Sequence, residues 1–404
     1  MTKAKQAELD LRDEDFEEEE PLERAEDLAI NADDFEQLLV APSDWTVQSL
    51  LHQIGKQIDL NPEYQRRGVW SQQAKSSFIE SLFLNIPIPQ ILLAAKKDNR
   101  NAFIVLDGKQ RLLTIKQFFD GKYENGATFS LANLRVLTLL EGQTWAEISG
   151  QSEWADRFLN TTQRTAVLRG WKNEDVLYEI FHRLNSGSVK LSPMELRMSL
   201  YPGGFLKFII AWSETLGPIH TLLRLKTPDK RMSDVELAVR HLAFGDPELV
   251  YNGDLKKFLD GACLRYNKAF NNSTGPQEIR TRINQLEEGI AAAIKIFGTS
   301  NVCRKWKNGK YERRFNRAIF DIQVGSLSSP QLRIAVSKDG RSFEELFKTI
   351  SDQDQEFVNS MEVTTKSVGA ARKRFLTWYS AIEEKYGIAI EVAKFADGGN
   401  AASH

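Results

Sequence analysis

The sequence predicts an α+β protein in which an α/β N-terminal domain is followed by an all-α C-terminal domain. Three observations lead there. Two short apolar runs, 90–95 and 103–106, are separated by a polar turn at 97–101 and read as adjacent buried strands. Segments with helical apolar spacing flank that pair on both sides. From residue 175 onward the spacing is helical almost throughout, and 404 residues are more than one compact core accommodates.

The chain begins with a charge imbalance. Residues 1–45 hold 16 Asp or Glu against 4 Lys or Arg, whereas the remainder holds 49 basic against 39 acidic residues. A block of like charges repels itself, so residues 1–44 are expected as a disordered acidic tail, either solubilising or competing with nucleic acid for the basic body. Order is expected from Trp45, with Val47, Leu50, Leu51 and Ile54 at near-helical spacing. Residues 57–60 alternate and stop at Asn61-Pro62, the pattern of a strand ending in a turn.

Ser71 is placed to cap a helix over 71–84, whose apolar stripe is Ala74, Phe78, Ile79, Leu82 and Phe83. Pro87 and Pro89 end it and lead into the strand pair. Residues 109–120 return to helical spacing through Leu112, Ile115, Phe118 and Phe119, with Gly121 as the stop. The later helical patterns cover 175–184, 192–200, 234–244, 253–270, 276–297, 313–324, 343–358 and 366–384. The clearest start is Ser192-Pro193-Met194-Glu195, a capping Ser, Pro at the first helical position and Glu three residues after the cap. The domain change is expected between 200 and 230, near Tyr201-Pro202-Gly203-Gly204, which gives domains at 45–215 and 216–388 and a flexible tail at 389–404.

Cys263 and Cys303 are far apart and form no C-x-x-C pair, so neither a disulfide framework nor a zinc site is indicated. The N-terminus lacks a signal-peptide core, and no stretch reaches the roughly 18 apolar residues of a membrane span. A cytoplasmic protein without membrane partners is the expectation.

Chemistry concentrates at Asp107-Gly108-Lys109-Gln110-Arg111, at the expected strand-to-helix junction. A helix start exposes unpaired backbone N–H groups and a partial positive charge, which stabilise an anion by about 0.3–1 kcal/mol. Gly108 allows close approach, Arg111 can hold phosphate oxygens with two parallel bonds, and Lys109 adds a point charge. Asp107 either caps the helix or holds a divalent cation that bridges to phosphates. An Asp cap and a Gly turn with exposed basic residues is the plain structural alternative.

Two other stretches supply polar neighbours. Tyr64-Gln65-Arg66-Arg67-Gly68-Val69-Trp70 brings two guanidiniums, an amide and two aromatics. Phe181-His182-Arg183-Leu184-Asn185-Ser186-Gly187-Ser188 ends a helix in a polar turn, from which Arg183 or Asn185 can reach a phosphate or simply terminate the helix. In the second half, residues 304–317 interleave seven basic residues with three aromatics. Arg304, Lys305, Lys307, Arg313, Arg314 and Arg317 are thereby candidates for nucleic-acid phosphate contacts beside stacking rings, or else form a solvated basic helix edge. His52, His182, His220, His241 and His404 are scattered singles, unlike the close His and metal-ligand spacing of an HNH nuclease.

The segments YQRRGVW, SLFLNIPIPQILL, VLDGKQRLLTI, FHRLNSGSVKLSPMELR, RMSDVELAVRHLAF and TTKSVGAARKRFLTW, in this order over roughly 45–385, resemble the DUF262 family. That family is similar to the N-terminal part of GmrSD-type, modification-dependent restriction enzymes and has a ParB/sulfiredoxin-like fold. The resemblance implies a nucleotide-binding or nucleotide-hydrolysing domain used in DNA transactions, often in defence against foreign DNA. Its usual Asp-Gly-Gln-Gln-Arg signature carries over to Asp107, Gly108, Gln110 and Arg111, and its upstream motif to Gln65 and Arg66. Lys109 departs from the pattern.

Three functions follow as expectations. In a nucleoside-triphosphate hydrolase using Mg²⁺ or another divalent cation, Asp107, Gln110 and Arg111 are the candidate catalytic residues. Asp107 is then the metal ligand, and Gln65, Arg66, Gly108, Lys109, Arg183 and Asn185 complete nucleotide binding. A ParB-like switch would instead clamp DNA on nucleotide with little turnover. A D-x-K nuclease would pair Asp107 with Asp98 or Glu80 around Mg²⁺ while Lys109 orients water. DNA is the expected partner, and a second protein supplying nuclease or another defence activity is left open.

Overall fold

A four-stranded mixed sheet in the order β1-β4-β2-β3 is the middle layer of the N-terminal unit, Ala25–Leu200. The computed structural model describes residues 30–60, 70–99, 101–123, 126–184, 192–229, 231–362 and 366–396. In chain order this unit contains β1 (Leu39–Thr46), α1 (Val47–Gln53), α2 (Gln72–Phe83), β2 (Ile91–Ala95), β3 (Phe103–Asp107) and α3 (Lys109–Asp120). There follow α4 (Trp145–Ser149), α5 (Ser152–Asn160), β4 (Thr162–Arg169), α6 (Glu174–Leu184) and α7 (Pro193–Leu200). β4 runs antiparallel to β1 and parallel to β2, which runs antiparallel to β3.

The period-two alternation of a strand divides the sheet between two cores. Ile91, Leu93, Ala95, Phe103, Val105 and Val167 point to one face and pack with α1, α2, α3 and the 129–158 region. Leu92, Ala94, Ile104, Leu106, Ala166 and Leu168 point to the other, against Val176, Leu177, Phe181 and Leu196 of α6 and α7. Helices on both faces leave β2 and β3 buried on both sides, so the apolar runs 90–95 and 103–106 mark these strands in the sequence. Ser71 caps α2 through the Ala74 N–H at 3.2 Å, and Gly121 ends α3 in the left-handed region, both as the sequence indicates.

Several expectations are corrected. Residues 39–44, expected inside the acidic tail, belong to β1, which pairs along the full length of β4, because the acidic run stops at Glu36 and the apolar residues after it can pair. Residues 1–29 lie outside the described residues. Residues 57–60 supply only single bridges from Ile58 to Ile54 and Phe103. β4 has no counterpart in the apolar pattern of the sequence, since buried Gln163 and Thr165 disguise its alternation.

The second unit runs from Tyr201, ahead of the expected limit at 215, because 204–213 is already helix and packs among its helices. It comprises α8 (Gly204–Ser213), α9 (Pro218–Leu222), α10 (Ser233–Phe244), β5 (Val250–Tyr251), α11 (Leu255–Phe270), α12 (Gly275–Phe297), β6 (Trp306–Lys307), β7 (Lys310–Tyr311) and α13 (Arg317–Leu327). α14 (Pro330–Val336), α15 (Gly340–Gln353), α16 (Gln355–Asn359), α17 (Val368–Tyr386) and β8 (Lys394–Phe395) complete it. The expected helix 343–358 is two helices, because Asp354 leaves helical geometry and caps α16 through the Phe357 N–H at 2.9 Å. Lys394 and Phe395, expected in a flexible tail, pair with Val250 and Tyr251. Among the described residues no helix is long and apolar enough to cross a membrane.

An ion network occupies the middle of the helical unit. Arg240 of α10 holds both carboxylate oxygens of Asp321 of α13 at 2.5 Å, and Arg374 of α17 reaches the same carboxylate at 3.5 Å. All three side chains are buried. Burial works against the charge of Arg240, but the facing Asp321 carboxylate outweighs it and holds its pKa above the ordinary value. Arg374, for which burial outweighs the more distant carboxylate, is pushed down to about 10.

Removing the shared counterion leaves two buried guanidiniums without their carboxylate. Asp321→Ala is expected to cost about 3–5 kcal/mol of unfolding free energy, measured by urea denaturation. A loss below about 1 kcal/mol would show that these helices do not depend on the network.

Candidate functional site at the β3–α3 junction

α3 is fixed from behind by an aromatic cluster. Phe118 lies edge-on to Phe83, Phe129, Trp145 and Phe158 with ring centroids 5.4–6.3 Å apart. Such packing sets the helix axis, and with it the direction in which the first turn of α3 leaves β3.

Between them stands Gly108 at φ 95° and ψ 11°. A Cβ there would lie 2.9 Å from Ile91 Cγ1 and 3.3 Å from Arg111 Nη2. Glycine is therefore demanded by the left-handed turn and by close packing, rather than by the approach of a phosphate. With no side chain at the cap, the backbone N–H groups of Gln110 and Arg111 make no hydrogen bond among the described residues.

Arg111 is buried, with Nη1 donating to the carbonyls of Pro89 and Gln90 and Nη2 to Asp107 Oδ2. Both terminal nitrogens are thus engaged within the protein. The side chain expected to grip phosphate instead ties the end of β3 to the entry of β2 and holds Asp107 in place. The Asp107 side chain remains 44% exposed. The i,i+4 spacing of Asp107 and Arg111 is the sequence signal for this ion pair.

Gln110 Oε1 accepts from the Trp70 N–H at 3.4 Å, and the Trp70 ring packs edge-on to Phe78 at 5.4 Å. The end of the 64–70 motif thereby meets the first turn of α3. Gln65, Arg66 and Asn185 lie outside the described residues. Lys109 is half-buried at the same turn. Arg183, at the end of α6, is exposed and joined to Glu179 at 2.5 Å.

The second carboxylate of the nuclease expectation is not assembled. Glu80 is buried and accepts from the N–H groups of Arg135, Val136 and Leu137 at 2.8–3.3 Å, clamping that loop. Burial alone would raise its pKa; those three donors outweigh it and hold the carboxyl below the usual range. Asp98 sits in the β2–β3 turn, a strand's length of about 15 Å from Asp107. Among the described residues no group of three or more His, Cys, Asp or Glu is placed to hold a metal ion. Asp107 offers one carboxylate, a number that suits a Mg²⁺ ion whose remaining ligands are nucleotide phosphates and waters.

The basic segment at 304–317 folds differently from the expected helix edge. β6 and β7 form a hairpin through Asn308 and Gly309, both at positive φ, and α13 starts only at Arg317, after Asn316 caps it. Arg304 is buried with bonds to the carbonyls of Arg313 and Val302, and buried Arg317 lies 3.6 Å from Glu236. Lys305 pairs with Glu312 and Lys307 with Glu362, each at 2.9 Å. Trp306 and Tyr311 are packed against each other at 5.0 Å, with Lys348 Nζ over both rings, and Phe315 is buried. Of the six basic candidates, Lys307, Arg313 and Arg314 are exposed, and Lys310 at the hairpin is a further exposed cation.

His220 is a buried cap, accepting from the Gly217 N–H at Nδ1 and bonded through Nε2 to Asp234 at 3.1 Å. Sequence reasoning missed the buried bond from Lys75 Nζ to Gln117 Oε1, 2.7 Å long, which joins α2 to α3. Nothing in the apolar spacing marks Lys75 as buried.

Residues 47–202 match the family model described as the N-terminal domain of the GmrSD restriction endonuclease. The resemblance to the DUF262/GmrSD family is thus shown for this segment, which contains the whole junction but not β1. No curated protein and no solved structure gives a significant match.

Two outcomes follow from this geometry. Gly108→Ala combines a positive φ with a clash against Ile91, so it should lower stability by about 1–3 kcal/mol in chemical denaturation; a change under about 0.5 kcal/mol would contradict the packing argument. Glu80→Gln should be less stable than the parent at pH 7. Because the folded pKa of Glu80 is depressed, its contribution is complete above the ordinary 4.5 and fades as pH falls through the folded value, so the two melting curves should converge in acid. A gap that stays constant from pH 7 to about pH 3 would rule the carboxylate clamp out.

Proposed function

We propose that residues 47–202 are the nucleotide-binding part of a restriction-type protein that acts on DNA, in the manner of a defence system. The observation that carries this reading is the junction itself: a strand end, an uncapped helix start with unbonded N–H groups, and the Trp70 end of a second motif, all inside a segment matching a restriction-endonuclease domain. A sheet with helices on both faces also agrees with the ParB/sulfiredoxin-like fold that the resemblance implies.

A triphosphate oxygen placed at the start of α3 would accept from the Gln110 and Arg111 N–H groups, with the helix dipole and the Lys109 ammonium adding attraction. Gln65, Arg66, Arg183 and Asn185 would complete the nucleotide pocket. Arg111 acts one step back, holding Asp107 at the mouth of the site. Asp107 would then orient the attacking water through its second oxygen, and no step here is assigned to a metal ion. A nucleotide-gated switch with slow turnover is the second reading, favoured by Arg111, whose terminal nitrogens already donate to Pro89, Gln90 and Asp107 rather than facing the start of α3 alone. DNA contact is assigned to exposed Lys307, Lys310, Arg313 and Arg314 of the helical unit.

Titration of the full chain with a panel of nucleoside triphosphates, followed by phosphate release, tests this. Lys109→Glu should weaken binding at least tenfold, a loss of about 1.4 kcal/mol, with a cooperative thermal melt as the folding control. Asp107→Asn should bind but release no phosphate. Equal affinity of parent and Lys109→Glu would move the phosphate site elsewhere, and binding without release in the parent itself would favour the switch.

A further inference from the structure

A cleft of about 630 Å³ opens in the helical unit between the last turns of α11 and the first two turns of α12. It lies within the helical unit, outside the segment matching the restriction-endonuclease domain, and its volume is within the range of about 300–1,000 Å³ usual for small-ligand sites. Its charged lining is Arg265, Lys268 and Arg282 against Asp246 and Glu278.

These groups divide into a braced wall and unspent charges. The Tyr266 hydroxyl accepts from Arg282 Nη1 at 2.8 Å and lies 2.9 Å from Asp246 Oδ2, while Arg265 Nε donates to the same Oδ2 at 2.9 Å. Arg282 Nη2 donates to the Leu242 carbonyl at 2.7 Å. Asp246 and Arg265 therefore neutralise each other. Arg282 commits one N–H of each terminal nitrogen and keeps three of the five donors of a guanidinium. Lys268 and Glu278 have no side-chain hydrogen bond or ion pair among the described residues.

Two unneutralised cations, Arg282 and Lys268, on neighbouring helices suit a dianion. The one unneutralised carboxylate, with Asn272 beside it in the lining, suits hydroxyl donors. A phosphate monoester carrying hydroxyl groups has both features; a bare anion would leave Glu278 opposing it, and an uncharged sugar would leave the cations unused.

We propose that this cleft is a binding site for a small hydroxylated phosphate monoester of the sugar-phosphate class, its phosphate on Lys268 and Arg282 and its hydroxyls on Glu278 and Asn272. The assignment is independent of the nucleotide reading of the β3–α3 junction, because the two involve different residues of different units.

Calorimetric titration of the full chain with ribose 5-phosphate, inorganic phosphate and ribose tests it. Ribose 5-phosphate should bind with a Kd of about 1 mM or tighter and at least fivefold better than inorganic phosphate, with ribose alone showing no heat of binding. Lys268→Glu should weaken it at least tenfold with an unchanged melting temperature. Glu278→Gln should narrow the preference over inorganic phosphate, and Lys109→Glu should leave both ligands unaffected. Absence of ribose 5-phosphate binding at about 10 mM, equal binding of the two phosphates by the parent, or full affinity in Lys268→Glu would each overturn the proposal. Loss of binding in Lys109→Glu alone would place the ligand at the α3 start and overturn it as well.

Discussion

A buried guanidinium has to find acceptors, and the way Arg111 finds them sets the N-terminal unit around the end of β3. Its three partners come from two places: the Pro89 and Gln90 carbonyls before β2, and Asp107 at the end of β3. Left unpaired in this position, those groups would cost on the order of several kcal/mol, so the loop, the strand end and the helix start must settle together. Gly108 is what lets them, since any side chain there would push against Ile91 and Arg111 itself. The consequence is a fixed Asp107 beside an uncapped helix start, held by a buried side chain whose terminal nitrogens are bonded to Pro89, Gln90 and Asp107.

The helical unit uses the same constraint on a larger scale. Arg240, Asp321 and Arg374 come from three helices far apart in sequence, and each is buried only because the others are. Two of the motifs that made the sequence recognisable, around 231–244 and 364–378, contain Arg240 and Arg374. Their charged residues therefore record a requirement of packing. A motif rich in charge is not by that fact a binding motif, and burial decides which it is.

The secondary structure near the junction was largely legible in the sequence, because strands covered on both faces and a capped amphipathic helix each leave a local pattern. Ser71, Gly121 and the apolar runs of β2 and β3 are read where they act. What escaped is decided by partners distant along the chain. β1 is a strand because β4 pairs with it, and β4 hides behind its buried Gln163 and Thr165. Asp107, Gly108, Gln110 and Arg111 are adjacent along the chain, but the direction of the Arg111 side chain depends on the Pro89 carbonyl, some twenty residues upstream, which no local pattern reveals.

The segment at 304–317 shows the limit of reading charge along a line. Its residues are consecutive in sequence, yet they divide between interior and surface because Asn308-Gly309 folds the chain back on itself and Asn316 starts a helix immediately afterwards. Arg304 and Arg317 fall on the inner side, and Lys305 and Lys307 meet Glu312 and Glu362. In this segment Lys307, Lys310, Arg313 and Arg314 are the exposed basic residues, and Lys307 is paired with Glu362. Counterion release scales with the charges that reach phosphate, so a surface of three or four cations gives weaker and less salt-sensitive binding than the seven basic residues of the sequence would suggest.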